Sequence, residues 1–266
     1  MMIPPTESRM RLLFLGDIVG VPGLAAVTSL LPALRVAECL DLVVANAENV
    51  QGGSGLMPRD YRKLRTAGVD AVTMGDHIYK KMELAEVLNN PAEPIVKPAN
   101  FPSEAPGRDH CKIVVQGRDI VVISLMGRTY MRPVDCPFHA VDRVLAGIDA
   151  KIILVDIHAE ATADKYQLGR YLDGRVTAVL GTHTHVTTAD EQIFPNGTAF
   201  QCDVGMTGPH DGIIGRRTDR ILHTMKTFEP SMFDVATDDV RLVGTIVDFD
   251  PDTGKATAIR RFVKSI

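Results

Sequence analysis

The chain has 266 residues, 45% of them apolar and 23% charged, with a formal net charge of −4. That composition excludes an intrinsically disordered chain. The lack of any lysine or arginine run argues against a dedicated nucleic-acid surface, and the length suits one large domain or two small ones.

In chain order, "MMIPPTESR" (1–9) reads as a loose polar tail. The first apolar run, "LLFLG", is only as long as a strand, so neither a signal peptide nor a spanning helix is expected, and the chain is read as cytoplasmic. Apolar runs rich in β-branched residues follow at 11–17, 40–49, 69–77, 119–127, 150–158, 176–185 and 240–250, each closed by a polar or glycine-marked turn. Helix patterns lie between the early ones. Residues 21–38 open with Pro22, and Pro32 is expected to kink or break the helix. Residues 57–68 end at a capping Gly68, and 81–90 stop before Pro91. The alternation predicts an α/β domain. "GTAFQCDVG" and 241–262 read as antiparallel strands, with "DPDTGKA" as a hairpin turn. Residues 10–266 are thus read as a single domain of mixed sheets. The four cysteines, Cys39, Cys111, Cys136 and Cys202, form no CxxC, which leaves no zinc knuckle or disulfide scaffold to expect.

The strand ends carry the chemistry. Asp17 follows the first strand, Glu48 and Asn49 the second, and Asp76 and His77 the third; His158 closes a later strand, with Glu160 close behind. "VLGTHTHVTT" places His183 and His185 past another. Taken singly, each has an ordinary explanation: an Asp there caps a helix, a Glu is a surface charge, an Asn makes a turn. Together, beyond the carboxyl ends of strands where α/β sheets bind ligands, they form a carboxylate, carboxamide and imidazole set suited to iron, manganese or zinc. Two such ions about 3.5–4 Å apart clamp a phosphate and activate a water. Glu48 or Asp17 could bridge them, and His77 is the candidate general acid. The glycines of 49–56 fit a tight turn beside this site better than a phosphate cradle.

"GDIVG" (16–20), "GDH" (75–77), "DIHAEAT" (156–162) and "GTHTHV" (181–186) resemble the motifs of calcineurin-like metallophosphoesterases. With "NAENVQGGSGL", "KPANFP" and "DVGMTGP", they look like the YmdB-type subfamily over residues 10–265. The resemblance implies a four-layer α/β/β/α sandwich of mixed sheets and a dinuclear phosphodiesterase of 2′,3′-cyclic nucleotides, of the adenine or guanine kind, acting through a metal-bridging hydroxide. It also implies the roles. Asp17, Glu48, Asn49 and His185 would hold one ion; Glu48, Asp76, His158 and His183 the other; His77 would protonate the leaving oxygen; Gly205, Met206 and Thr207 would line the substrate pocket. The ions would be iron or manganese, with zinc as a further option. The implied partner is a small phosphodiester, with no nucleic-acid surface and no membrane; homo-oligomerisation stays open. Two positions depart from the family pattern: Asp76 replaces an Asn, adding a negative charge, and Tyr79 replaces a Trp. Two other readings stay open: a metal- and nucleotide-binding regulator without turnover, and a phosphomonoesterase on the same fold.

Overall fold

The computed structural model describes residues 9–266. Arg9 is exposed and pairs with Asp248 at 3.3 Å; the rest of the expected tail, 1–8, lies outside the described residues. The elements run β1 (Met10–Leu15), β2 (Asp17–Ile18), α1 (Gly20–Ala37), β3 (Leu42–Asn46), α2 (Pro58–Ala67), β4 (Ala71–Thr73), a short 3₁₀ turn into α3 (Ala85–Leu88), β5 (Ile95–Val96), β6 (His110–Val115), β7 (Arg118–Met126), α4 (Pro137–Leu145), β8 (Ile152–His158), α5 (Thr162–Tyr171), β9 (Ala178–Thr182), β10 (Gln192–Ile193), β11 (Ala199–Gln201), β12 (Met206–Pro209), α6 (Thr218–Thr227), β13 (Val240–Phe249) and β14 (Ala256–Ser265).

The strands form two mixed sheets. One has the order β2-β12-β13-β1-β3-β4-β5, with β14 also paired to β13; the other has the order β10-β11-β9-β8-β7-β6. The apolar runs are nearly continuous because both faces of each sheet are covered. Pleating sends alternate side chains to opposite faces. From β1, Leu13 and Leu15 pack with Leu24, Val27 and Leu64 of α1 and α2, while Leu12 and Phe14 meet Ile120, Leu154 and Leu180 of the other sheet. From β8, Ile153, Val155 and Ile157 turn away to pack with Val141 and Leu168 of α4 and α5. Each such fully buried side chain contributes roughly 1.5–3 kcal/mol.

Three expectations change. Pro32 neither breaks nor ends α1, which runs unbroken for 18 residues. Buried Leu31 and half-buried Leu34 hold both sides of the proline to the core, which outweighs the one hydrogen bond it removes. The helix expected at 81–90 shrinks to the 3₁₀ turn and α3. β11 pairs parallel with β9 and antiparallel only with β10. Helix α1 has the length and apolar composition of a membrane-spanning helix. Here it is the crossover between parallel neighbours β1 and β3, with Leu24, Val27 and Leu31 buried.

Other readings hold. Gly68 caps α2 in the left-handed conformation (φ 105°), and β13 and β14 form the antiparallel hairpin around 250–256.

Candidate metal centre

The pleat that fills the space between the sheets with apolar side chains also places the site. Above Leu42 and Val44 comes Asn46; above Ala71, Thr73; above Ile152 and Leu154, Asp156 and His158; above Ala178 and Leu180, Thr182. All five of these polar residues are fully buried. They satisfy one another. Asn46 Nδ2 donates to Asp156 Oδ2 (3.1 Å), Thr182 Oγ1 donates to Asp156 Oδ1 (2.7 Å), and Thr182 Oγ1 also lies 2.8 Å from His158 Nδ1. Burial pushes the Asp156 carboxyl up to about 6, against His158 and these hydrogen bonds.

On this floor stand the strand-end residues named from sequence. They come from both sheets, not from one: Asp17, Glu48, Asn49, Asp76 and His77 from the first, and His158, His183 and His185 from the second. Glu48, Asp76, His158 and His183 each bring one donor atom within 4.8 Å of the others. His158 Nε2 lies 3.0 Å from Asp76 Oδ1, 3.2 Å from Glu48 Oε1 and 3.1 Å from His183 Nδ1. This crowding requires Gly75, where a Cβ would sit 2.3 Å from the His158 ring. Asp17 is seated by its N–H on Gly205 O (3.1 Å), and its Oδ2 accepts the His183 N–H at 3.0 Å. His185 Nε2 lies 3.2 Å from Asn49 Nδ2 and 3.8 Å from Asp17 Oδ1. Asn49 turns its Oδ1 to His77 Nδ1 at 2.6 Å, and the His77 N–H donates to Glu48 Oε2 at 2.9 Å.

The donor set fits divalent cations. Each of three histidines turns one ring nitrogen toward the carboxylates and gives the other to a partner outside the ring. His158 Nδ1 meets Thr182 Oγ1 (2.8 Å), His185 Nδ1 meets Ile214 O (3.0 Å), and His183 Nε2 meets Glu160 Oε2 (3.1 Å). Metal-ligating histidines are oriented in this way. The electrostatics also call for positive charge. Burial opposes a charged His158, but Glu48, Asp76 and Asp17 overcome it and raise its pKa well above the imidazole range. Burial raises Glu48 and Asp76, yet His158 and the neighbouring imidazoles hold both below the usual carboxylate range. Asp17 goes the other way: burial raises it, and His185 and His158 offset only part of this.

Of the three expected substrate contacts, Met206 borders a cavity of about 760 Å³ that starts at His185 and reaches Arg241 and Arg261. Thr207 is fully buried, and its hydroxyl both donates to Val243 O (2.9 Å) and accepts from Val243 N (3.0 Å). Gly205 gives its carbonyl to Asp17. Gly205 O seats Asp17 directly, and Thr207 pairs with Ile18 and takes the Val19 N–H, fixing β2 against β12. The glycines at 52, 53 and 55 form a tight turn, and the Arg216 guanidinium binds the carbonyls of Gly52 and Gly53. Tyr79 packs near Phe101, with ring centroids 6.1 Å apart.

Sequence reasoning missed the supporting residues. Thr182 and Asn46 carry no spacing signal. Glu160 was seen but given no role. Asp203, two residues past β11, would have been found by the same strand-end rule. It is buried, binds Lys165 Nζ at 2.7 Å, and accepts from Thr184 N (3.0 Å) and Thr184 Oγ1 (2.7 Å), so it anchors the segment between His183 and His185.

A family model described as YmdB-like protein matches residues 13–262. The chain is 42% identical, over 96% of its length and 97% of the other, to a 2′,3′-cyclic-nucleotide 2′-phosphodiesterase of Bacillus subtilis (strain 168). It superposes at a TM-score of 0.91 on a hypothetical protein from Thermus thermophilus, with 43% identity and coverage of 96% of this chain and 99% of that one. A structure described as a novel phosphatase from Mycoplasma pneumoniae also gives 0.91, at 30% identity, covering 98% and 95% of the two chains.

Proposed function

The chain belongs to the YmdB-like family, and on that premise we propose that it is a metal-dependent phosphodiesterase that opens 2′,3′-cyclic nucleotides at the 2′ ester. The observation that carries this reading is the ring of histidines, each with one nitrogen facing buried carboxylates and the other held outside. The proposal takes residues 10–266 as one domain in a four-layer α/β/β/α sandwich, supported by the three apolar clusters that alternate across the two sheets. Four free cysteines suit a reducing cytoplasm.

Asp17, Glu48, Asn49 and His185 would hold one ion, and Glu48, Asp76, His158 and His183 a second, with Glu48 shared. Iron or manganese suits the donors, and zinc is the further option. When bound, the ions would supply positive charge for the phosphate oxygens and lower the pKa of a water. The chain's own groups do the rest. Asp76 would bring a full negative charge to its ion. Asn49 would bind through its carboxamide oxygen, which requires the amide to turn over from the orientation that puts Oδ1 2.6 Å from His77 Nδ1; its amide nitrogen would then donate to Nδ1 and leave the ring proton on Nε2. That atom lies 3.6 Å from Asp76 Oδ2, too far for a strong hydrogen bond, and can pass its proton to the departing ribose oxygen. Met206 would face the nucleotide from the cavity wall.

The test is 2′,3′-cyclic AMP with product identification. The expected product is the nucleoside 3′-monophosphate. Intact metal and bound nucleotide without any hydrolysis would favour a regulatory binder; turnover of monoesters alone would favour a phosphomonoesterase.

A further inference from the structure

The proposed centre uses only the inward nitrogen of each histidine, so the outward partners are left to explain. For His158 and His185 these partners belong to the fold itself: buried Thr182 backed by Asp156, and the backbone carbonyl of Ile214. His183 differs. Its outward Nε2 is held at 3.1 Å by Glu160, whose side chain is 50% exposed and lies just past the end of β8. His183 is also the ring member in most need of support. Its backbone stands at φ 101°, a conformation unfavourable for any residue but glycine. Its side chain is 22% exposed, whereas that of His158 is fully buried. Packing fixes the His158 ring; it fixes the His183 ring only in part.

We propose that Glu160 is a positioning residue of the metal centre, on the reading given above that His183 is a ligand. Its carboxylate accepts the Nε2–H of His183. This leaves the Nδ1 lone pair pointing at His158 Nε2 and Asp76 Oδ1, 3.1 and 3.5 Å away, and makes the imidazole a stronger donor. Glu160 is not itself a ligand: the imidazole stands between it and the other donors. Asp156 does the same for His158 through the Thr182 hydroxyl, so one strand and its extension, Asp156 to Glu160, support two histidines of the same ion.

The experiment is a titration of metal-free protein with Mn²⁺ by calorimetry, with the visible spectrum of the Co²⁺ form alongside, for the wild type, Glu160→Ala and Glu160→Gln. Loss of such an outer partner costs about 10–100-fold in metal affinity. Glu160→Ala should therefore weaken one Mn²⁺ site by that factor and shift the Co²⁺ bands. Glu160→Gln still offers an acceptor oxygen and should recover most of the affinity. Unfolding of the three metal-free proteins in urea should coincide. Wild-type affinity in Glu160→Ala would overturn the proposal alone, as would a Gln variant no better than Ala or a matching loss of metal-free stability. A wild type that binds no Mn²⁺ would overturn both this proposal and the reading beneath it.

Discussion

Two buried polar constellations stand side by side past the strand ends, and they are built on opposite principles. In the Lys165–Asp203 knot, the ammonium is paired at 2.7 Å, and Asp203 is further bonded by Thr184 N, Thr184 Oγ1 and Gly205 N. The carboxylate is spent on the chain itself. In the histidine ring, Glu48, Asp76, His158 and His183 turn acceptor atoms toward one another within 4.8 Å, an arrangement that could hold a metal ion. A buried charge paired with the chain holds a loop; a convergent set of groups that pair mainly with one another is a candidate cation site. Burial alone does not tell the two apart, since Asp203, Asp17 and Glu48 are all buried.

The sharpest way to break this comparison is to ask each region to do the other's work. His77→Ala should lower kcat on 2′,3′-cyclic AMP by about 10²–10⁴-fold, with metal content and urea midpoint unchanged. A large drop in stability would make His77 a structural residue instead. Asp203→Ala should do the reverse first. It strands the Lys165 ammonium in the core and should cost about 3–5 kcal/mol in urea unfolding, before any metal is added. Little change would mean the knot is ornamental. Next comes the metal itself. Mn²⁺ at a hundredfold excess over its Kd should add about 2.7 kcal/mol to unfolding of the wild type, and Glu48→Gln should lose most of that gain. Equal gains in both proteins would place the ion elsewhere.

The smallest effect belongs to an ordinary ion pair, which serves as the baseline. Burial raises the Asp248 carboxyl, but the Arg11 guanidinium at 2.6 Å wins and lowers its pKa. A lowered folded pKa gives stability that is present above the unfolded value near 3.9 and lost as pH falls through the folded one. Arg11→Met should therefore flatten the acid limb of the stability curve, with a loss of about 1–2 kcal/mol at neutral pH, because Arg9 still faces the Asp248 carboxylate. A loss as large as that of Asp203→Ala would erase the contrast between the knot and this pair.

How much the sequence showed follows the same division. Inward residues were legible because each lies at or just past the end of an apolar run, where a carboxylate or imidazole stands out: Asp17, Glu48, Asp76, His158, His183 and His185. Outward residues were not, apart from Glu160, which stands beside a strand end without a role that spacing reveals. Thr182 and Asn46 are ordinary strand residues whose task depends on pleat parity across two sheets, and a one-dimensional pattern does not say which strands share a sheet. The parallel pairing of β11 with β9 was hidden for the same reason. Pro32 misled because local propensity was read without the core contacts that override it.

The most direct test of the account is a count of metal per chain, by elemental analysis of protein purified without added metal, together with 2′,3′-cyclic AMP hydrolysis on the same sample and on His77→Ala. The account predicts two ions per chain in both proteins, and turnover in the wild type that is lost in the variant. A wild type that carries no metal, even after loading with Fe²⁺ or Mn²⁺, would contradict it, and the histidine ring would need another explanation.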